Sequence, residues 1–265
     1  MAEVLLEARA VSKVYRPRRG LFRSPRGALQ AVERVDCTLM PGERLGLVGE
    51  SGCGKSTLAK LLVGLIPSSS GEVLVHGRPI HRLRGVLLQA LRRRIQLIFQ
   101  DPMNSLNPLM TVDEILSEPL IIHHLARGAA RVKRVEELLA SVQLPAAYRS
   151  RRPRQLSGGE RQRVGIARAL ATSPEVLICD EPIASLDVSV GAQLLELLHT
   201  LSRQRQMALL FISHDLRAVA SLCEYLAVMR HGRFVETGRC DELLQQPRHP
   251  YTELLIRSAE LDLDH

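Results

Sequence analysis

The densest chemistry in the chain lies between Gly49 and Ser56, which read Gly-Glu-Ser-Gly-Cys-Gly-Lys-Ser. Gly49, Gly52 and Gly54 let the backbone wrap tightly, so that its N–H groups turn inward toward phosphate oxygens. Lys55 supplies a point charge for phosphate, and the Ser56 hydroxyl can ligate a divalent cation. A helix starting at Lys55 adds the positive end of its dipole. The context suits this reading: an apolar strand, Leu45 to Val48, precedes the loop. An amphipathic helix follows, burying Leu58, Leu61, Leu62 and Leu65 and ending by Gly64 and Pro67. A plain glycine turn is the alternative, and it gives the Lys-Ser pair no role. Cys53 sits inside the loop, where the dipole and Lys55 favour its thiolate.

A second station ends the apolar run Val176-Leu177-Ile178-Cys179. Asp180 can hold the shell of a cation, and Glu181 can accept a proton from an attacking water. Alone, two acids at a strand end read as a solvated turn; beside a phosphate loop they read as hydrolytic machinery. The third station, Leu156-Ser157-Gly158-Gly159-Glu160, opens a helix that runs to Leu170. Ser-Gly-Gly at a helix start offers bare N–H groups, a hydroxyl and a dipole to an anion. Taken singly it is also an ordinary N-cap with flexible glycines. Two phosphate-grade sites about a hundred residues apart fit one nucleotide sandwiched between two copies of the chain.

The elements that must position these stations follow from periodicity. Residues 4–14 and 33–40 alternate as half-buried strands do, with an exposed Arg/Pro/Gly-rich loop at 16–30 between them. Short apolar strands at Ile95–Phe99, Val176–Cys179 and Ala208–Ile212 are separated by helices, notably 187–205. This predicts an α/β fold with a parallel sheet covered on both faces. Residues 101–160 contain no such strand and read as an inserted helical subdomain, with helices at 111–125 and 128–143. His231-Gly232, between 225–229 and 233–237, signals a hairpin.

The bulk numbers narrow the function. The 265 residues suit one large domain, and 45% hydrophobic content affords a core that must be aliphatic, since aromatics are 3% and Trp is absent. Nucleic-acid binding by aromatic stacking therefore has little material. The net charge of +8 and pI near 9.7 point to an anionic partner or simply to a solvated, Arg-rich surface. Arginine clusters stand at Arg16, Arg18, Arg19, Arg23 and Arg26, at Arg92–Arg94, and at Arg149, Arg151, Arg152 and Arg154. Five widely spaced cysteines without a C-x-x-C argue against a disulfide framework or zinc site and for a reducing compartment. No signal-peptide pattern opens the chain, and no apolar run is long enough for a membrane helix.

With these motifs in this order, the sequence resembles the ATP-binding subunits of ABC transporters over nearly its whole length. Gly49, Glu50, Ser51, Gly52, Cys53, Gly54, Lys55, Ser56 and Thr57 resemble the Walker A loop. Gln100 resembles the Q-loop glutamine, Leu156–Glu160 the signature, and Asp180 and Glu181 the Walker B pair. Ser185-Leu186-Asp187 resembles the D-loop, His214 the switch histidine, and Tyr15 the aromatic that stacks on adenine. The resemblance implies a P-loop NTPase core with a mostly parallel sheet, an N-terminal antiparallel β subdomain and the inserted helical subdomain at 101–160. It makes residues 1–265 a single ATP-binding domain with a short extension at 240–265.

It also implies a mechanism. ATP binds the Walker A loop of one subunit and Ser157, Gly158, Gly159 and Asp187 of its partner. Mg²⁺ is held by Ser56, Asp180 and Gln100. Glu181 activates water, His214 holds the γ-phosphate or water, and Gln100 senses the nucleotide at the junction where a membrane subunit docks.

A narrower resemblance, to ATPases of bacterial peptide and nickel importers, is carried by Phe99-Gln100-Asp101-Pro102-Met103-Asn104-Ser105-Leu106-Asn107-Pro108, by the basic insertion, and by His249-Pro250-Tyr251-Thr252. It implies import of peptides or metal chelates at the cytoplasmic face of the inner membrane. The implied partners are two permease subunits, a second ATP-binding subunit that is the same chain or a related one, and, indirectly, an extracytoplasmic solute-binding protein. No nucleic acid is expected. The iron–sulfur cluster suggested by clustered C-terminal cysteines in some relatives is not expected either. A soluble ABC-type ATPase of DNA repair or translation is the alternative, raised by the net charge.

Overall fold

Alternating side chains and the His76-Gly77 turn shape the N-terminal sheet. In the computed structural model, which describes residues 3–16, 28–99 and 106–261, β1 (Leu6–Tyr15) and β2 (Leu29–Leu39) pair antiparallel. β2 begins earlier than its alternation suggests, because the register carries the pairing out to Tyr15 and Leu29. Next come β3 (Arg44–Val48) and α1 (Lys55–Leu62). Leu58, Leu61 and Leu62 are buried as expected, but Leu65 is half-exposed. The helix stops at Leu62, and Gly64 turns left-handed at φ 67°, which swings Leu65 off the apolar face.

β4 (Ser70–Val75) and β5 (Arg78–Pro79) complete a four-stranded antiparallel sheet in the order β2-β1-β4-β5. α2 (Gly85–Arg94) then leads into β6 (Ile95–Ile98). Sequence periodicity alone did not single out β4, β5 or α2.

The described residues from 106 to 157 hold helices and no strand. α3 (Val112–Ile122) starts on a capping box, in which the Thr111 hydroxyl accepts Glu114 N–H at 3.3 Å and the Glu114 carboxylate accepts Thr111 N–H at 2.7 Å. α4 (Gly128–Ser141) and α5 (Gly158–Leu170) pack on it through Leu116, Leu120, Val135, Leu138 and Val164, all buried. Arg149 ties this group together, donating to Asp113 at 2.7 Å and Glu136 at 2.8 Å. The Arg151 guanidinium lies 3.8 Å from the Tyr148 ring centroid. These two members of the third arginine cluster thus serve internal contacts.

The rest of the chain builds the main sheet: β7 (Val176–Asp180), α6 (Val188–Arg205), β8 (Ala208–Ile212), α7 (Leu216–Leu222), β9 (Tyr225–Arg230) and β10 (Arg233–Arg239). Its order is β10-β9-β3-β8-β7-β6. The pairs from β9 to β6 are parallel and β10 is antiparallel. β7 and β8 are buried along their whole length, as strands covered on both faces must be. Cys179 is packed as a small hydrophobe. α8 (Cys240–Gln245) and α9 (Pro250–Leu261) close the chain.

The two sheets are pinned by a charged contact. His76, in the β4–β5 turn, bonds Glu3 through Nδ1 at 2.8 Å and Glu175, just before β7, through Nε2. Glu175 also pairs with Arg94 at 3.3 Å. Desolvation lowers the His76 pKa, but the bonds to the two glutamates outweigh it, and the net shift is upward. Protonated His76 is therefore the form that stabilises the fold. That contribution is complete below the unfolded pKa of about 6.5 and is lost as pH rises through the higher folded value. Thermal melting of the parent and His76→Gln should differ most near pH 6 and converge toward pH 8. A gap that widens with pH would contradict this assignment.

Candidate functional site

Three strand ends meet at one edge of the main sheet. β3 ends at Val48 and opens the phosphate loop, β7 ends at Asp180, and β8 ends at Ile212 before Ser213 and His214. The loop depends on its glycines. Gly49 has φ 152°, and a Cβ there would lie 2.2 Å from the Met229 carbonyl oxygen. Gly54, at φ 116°, would place one 2.1 Å from the Ala31 carbonyl oxygen. Both positions combine a left-handed backbone with close approach to a neighbouring strand, which leaves only glycine.

Lys55 is 5% exposed, and its ammonium donates to the carbonyls of Gly49 at 2.6 Å and Glu50 at 3.0 Å. The side chain thus curls back along the inside of the loop. Gly232 N–H donates to the Cys53 carbonyl at 2.8 Å, which ties the loop to the β9–β10 turn. The expected Cys53 thiolate is not supported by its surroundings. Burial pushes the thiol pKa up, against the opposing pull of Lys55, and the residue is 8% exposed.

Ser56 donates its hydroxyl to Asp180 Oδ1 at 3.0 Å, joining the loop to the end of β7. Burial raises the Asp180 pKa, and the Ser56 bond opposes that shift. A hydroxyl and a buried carboxylate side by side form an all-oxygen donor set that fits a hard divalent cation. Among the described residues, no group of three His, Cys, Asp or Glu side chains stands together as a metal cage.

Glu181 follows in a left-handed conformation, φ 47°, its N–H bonded to the Ile212 carbonyl at 2.9 Å. Such a backbone is unfavourable for glutamate and persists because the neighbouring strand holds it. The turn carries the carboxylate toward β8, where Oε2 lies 3.3 Å from His214 Nδ1. His214 is mostly exposed and Glu181 mostly enclosed. The geometry therefore gathers Lys55, Ser56, Asp180, Glu181 and His214 along one edge.

Other candidates lie apart from this group. Ser157 caps α5, its hydroxyl accepting Glu160 N–H at 3.2 Å while Glu160 accepts Ser157 N–H at 2.7 Å. Tyr148 donates to the second Glu160 oxygen at 2.7 Å. Because the Ser157 hydroxyl accepts within its own helix, its proton remains able to donate outward. A Cβ on Gly159 would lie 2.5 Å from Val190, so the signature helix is seated on the start of α6. Asp187 stands at the N-cap of α6 without a capping bond from its side chain, beside Val188, which is 92% exposed. Tyr15 ends β1 with an exposed ring, 5.3 Å from the Lys13 ammonium. Gln100 lies outside the described residues. Sequence reading did not give Tyr251 a role, yet its hydroxyl accepts Glu50 N–H at 3.0 Å. The only available signal was the His-Pro-Tyr-Thr run, noted solely as a mark of resemblance.

Comparison with known proteins accords with this geometry. The ABC transporter family model matches residues 32–184. The model of the oligopeptide/dipeptide transporter C-terminal region matches 235–261. The chain is 46% identical over 259 residues to the probable peptide ABC transporter ATP-binding protein y4tS of Sinorhizobium fredii, covering 98% of this chain and 73% of that one. It is 46% identical over 243 residues to the oligopeptide transport ATP-binding protein OppF of Bacillus subtilis, with 91% and 79% covered. Against the glutathione import ATP-binding protein GsiA of Pectobacterium atrosepticum identity is 45%, but the chain spans only 41% of that protein. Among solved structures, the dimeric ATP-binding cassette MJ0796 bound to ADP and Pi superposes with a TM-score of 0.78 at 28% identity, covering 89% of this chain and 99% of that one. CbiO1 from Clostridium perfringens, part of the transporter complex cbiONQ, gives 0.78 at 26%, covering 99% and 96%. The glycine-built phosphate loop, the acidic end of β7 and these matches together establish that the chain belongs to the ABC transporter family as one of its ATP-binding, ATP-hydrolysing subunits.

Proposed function

We propose that this chain powers the import of peptides, binding ATP in a site shared by two ATP-binding subunits and passing the closure of that site to membrane permeases. The observation that carries the reading is the gathering of Lys55, the Ser56–Asp180 pair and the Glu181–His214 pair at the ends of three neighbouring strands. Open α/β sheets bind their ligands at the carboxyl edge. The relatives named for peptides, oligopeptides and glutathione favour peptide cargo over metal chelates. The reading of the chain as a soluble ATPase on nucleic acid loses support where Arg149 and Arg151 are committed to internal contacts.

Gly49–Thr57 cradle the ATP phosphates, with Lys55 exchanging its carbonyl partners for phosphate oxygens and Tyr15 offering a ring face to the base. Ser56 and Asp180, with Gln100, would hold Mg²⁺, which would supply positive charge to offset that of the phosphates. Glu181 accepts the proton of the attacking water, and His214 orients water or γ-phosphate. Ser157, Gly158, Gly159 and Asp187 complete the site on the partner subunit, the start of α5 at Ser157–Gly159 supplying N–H groups and dipole. The partner is a second copy or a related chain. The helical segment spanning roughly 101–160 acts as a subdomain that moves with closure.

Attachment to the membrane is peripheral on this reading. Among the described residues, no helix is long and apolar enough to cross a bilayer. A cleft of about 280 Å³ between the sheet edge and α3 offers a docking surface instead. Leu65, Phe99, Pro119 and Ile122 line it, with Glu118 and His123 at hand. Leu65, Phe99 and Ile122 expose more than a third of their area, as suits apolar side chains covered by a partner helix.

Two outcomes test this function. Glu181→Gln should lower steady-state ATP hydrolysis by roughly a hundred- to ten-thousand-fold while ATP binding survives. With MgATP it should accumulate as a closed dimer on size-exclusion chromatography, provided the cognate ATPase partner is present if that partner is a different chain. Hydrolysis at near-parental rate would remove Glu181 as the base. Ile122→Arg should leave hydrolysis by the purified subunit unchanged within about twofold, since Ile122 is not among the residues assigned to the ATP site, yet abolish co-sedimentation with permease-containing membranes. Undiminished co-sedimentation would move the docking surface elsewhere.

A further inference from the structure

The C-terminal helix reaches back to the phosphate loop through one side chain. α9 begins at Pro250, and its second residue, Tyr251, is 2% exposed. A buried tyrosine needs a partner for its hydroxyl. Here the partner is the backbone N–H of Glu50, at 3.0 Å, in the loop that leads to Lys55 and Ser56.

The ring that carries this hydroxyl is held on several sides. The Arg230 guanidinium lies 4.7 Å from its centroid. Tyr251 N–H donates to His249 Nδ1 at 3.1 Å, which fixes the entry into α9. Glu236 on β10 accepts the N–H groups of Arg248 at 2.8 Å and His249 at 3.1 Å. A line of bonds thus runs from β10, through the segment before α9, to the phosphate loop. Within the loop, the Glu50 peptide is bonded at both ends. Its N–H is taken by Tyr251, and its carbonyl accepts from Lys55 at 3.0 Å and Cys53 at 3.2 Å.

We propose that Tyr251 is a positioning residue for nucleotide binding: its hydroxyl holds the first half of the phosphate loop in its cradle shape, so that ATP meets N–H groups already turned inward. The proposal rests on the assignment of Gly49–Thr57 as the ATP site. Without the hydroxyl, the loop divides its population among other conformers, and apparent affinity falls by the fraction that stays competent. Loss of one neutral hydrogen bond of this kind corresponds to about a three- to tenfold change. Glu181 and His214 follow other strands, β7 and β8, so the rate at saturating ATP is spared.

Tyr251→Phe keeps the ring, its burial and the Arg230 contact, and removes only the acceptor. The experiment measures KM for ATP, kcat, the dissociation constant of a fluorescent ADP and the melting temperature of the variant beside the parent. The expected result is a three- to tenfold rise in KM and in the ADP constant, with kcat within about twofold and Tm within about 2 °C. A lowered kcat at parental KM, or parental values throughout, overturns the proposal. Hydrogen exchange on the parent supplies a second reading that needs no variant: the Glu50 amide should be protected without nucleotide, and a freely exchanging Glu50 amide also overturns it. A parent that fails to bind ADP would instead strike the assignment of the ATP site.

Discussion

The register of three parallel strands governs everything this molecule does. Leu47 of β3 pairs with Ile212 of β8, and Ile212 pairs with Asp180 of β7. That single row sets the exits of the phosphate loop, the acidic pair and the His214 turn at one level. A slip of one residue in either pairing would turn every side chain to the opposite face and carry Asp180 away from Ser56. The register is safe because both faces of β7 and β8 are buried, so a slip would disturb the core on both sides at once. The edge proposed to bind and hydrolyse ATP is thus positioned by aliphatic packing in the strands behind it.

Much of this was legible in the sequence, for reasons tied to particular residues. Asp180 and Glu181 announce themselves because they close a short apolar run, and a strand buried on both faces has no other composition available, while Lys55 and Ser56 stand out by ending the glycine loop that follows β3. The β9–β10 hairpin was visible in His231-Gly232, where left-handed φ values of 47° and 81° make the primed turn. The same signal at His76-Gly77, with φ 46° and 69°, marks β4–β5 and passed unread, because β5 is only two residues long and leaves no alternation to notice. Leu65 was misplaced because periodicity carries on past Gly64 while the backbone does not.

What could not be read are contacts between distant segments. Nothing in the phosphate loop's own sequence says that Gly49 must clear the Met229 carbonyl or Gly54 that of Ala31. A local motif explains those glycines by phosphate approach alone, whereas β2 and β9 press on the same loop from outside. Cys53 illustrates the point from the other side. Its neighbours in sequence argue for a thiolate, and the packing that buries it argues more strongly for a thiol. The strained turn at Glu181 is likewise a tertiary product, held by the Ile212 carbonyl.

The curled Lys55 side chain has a bearing on turnover. An ammonium this deeply enclosed would carry a severe desolvation penalty if nucleotide departure stripped it of every anionic or dipolar neighbour. The carbonyls of Gly49 and Glu50 receive it instead, at 2.6 and 3.0 Å. On the proposed function, product release is then an exchange of ligands around a charge that stays solvated by protein throughout. The cradle carries its own counter-dipole, so the ebb of phosphate from the site leaves no bare cation behind to hold it back.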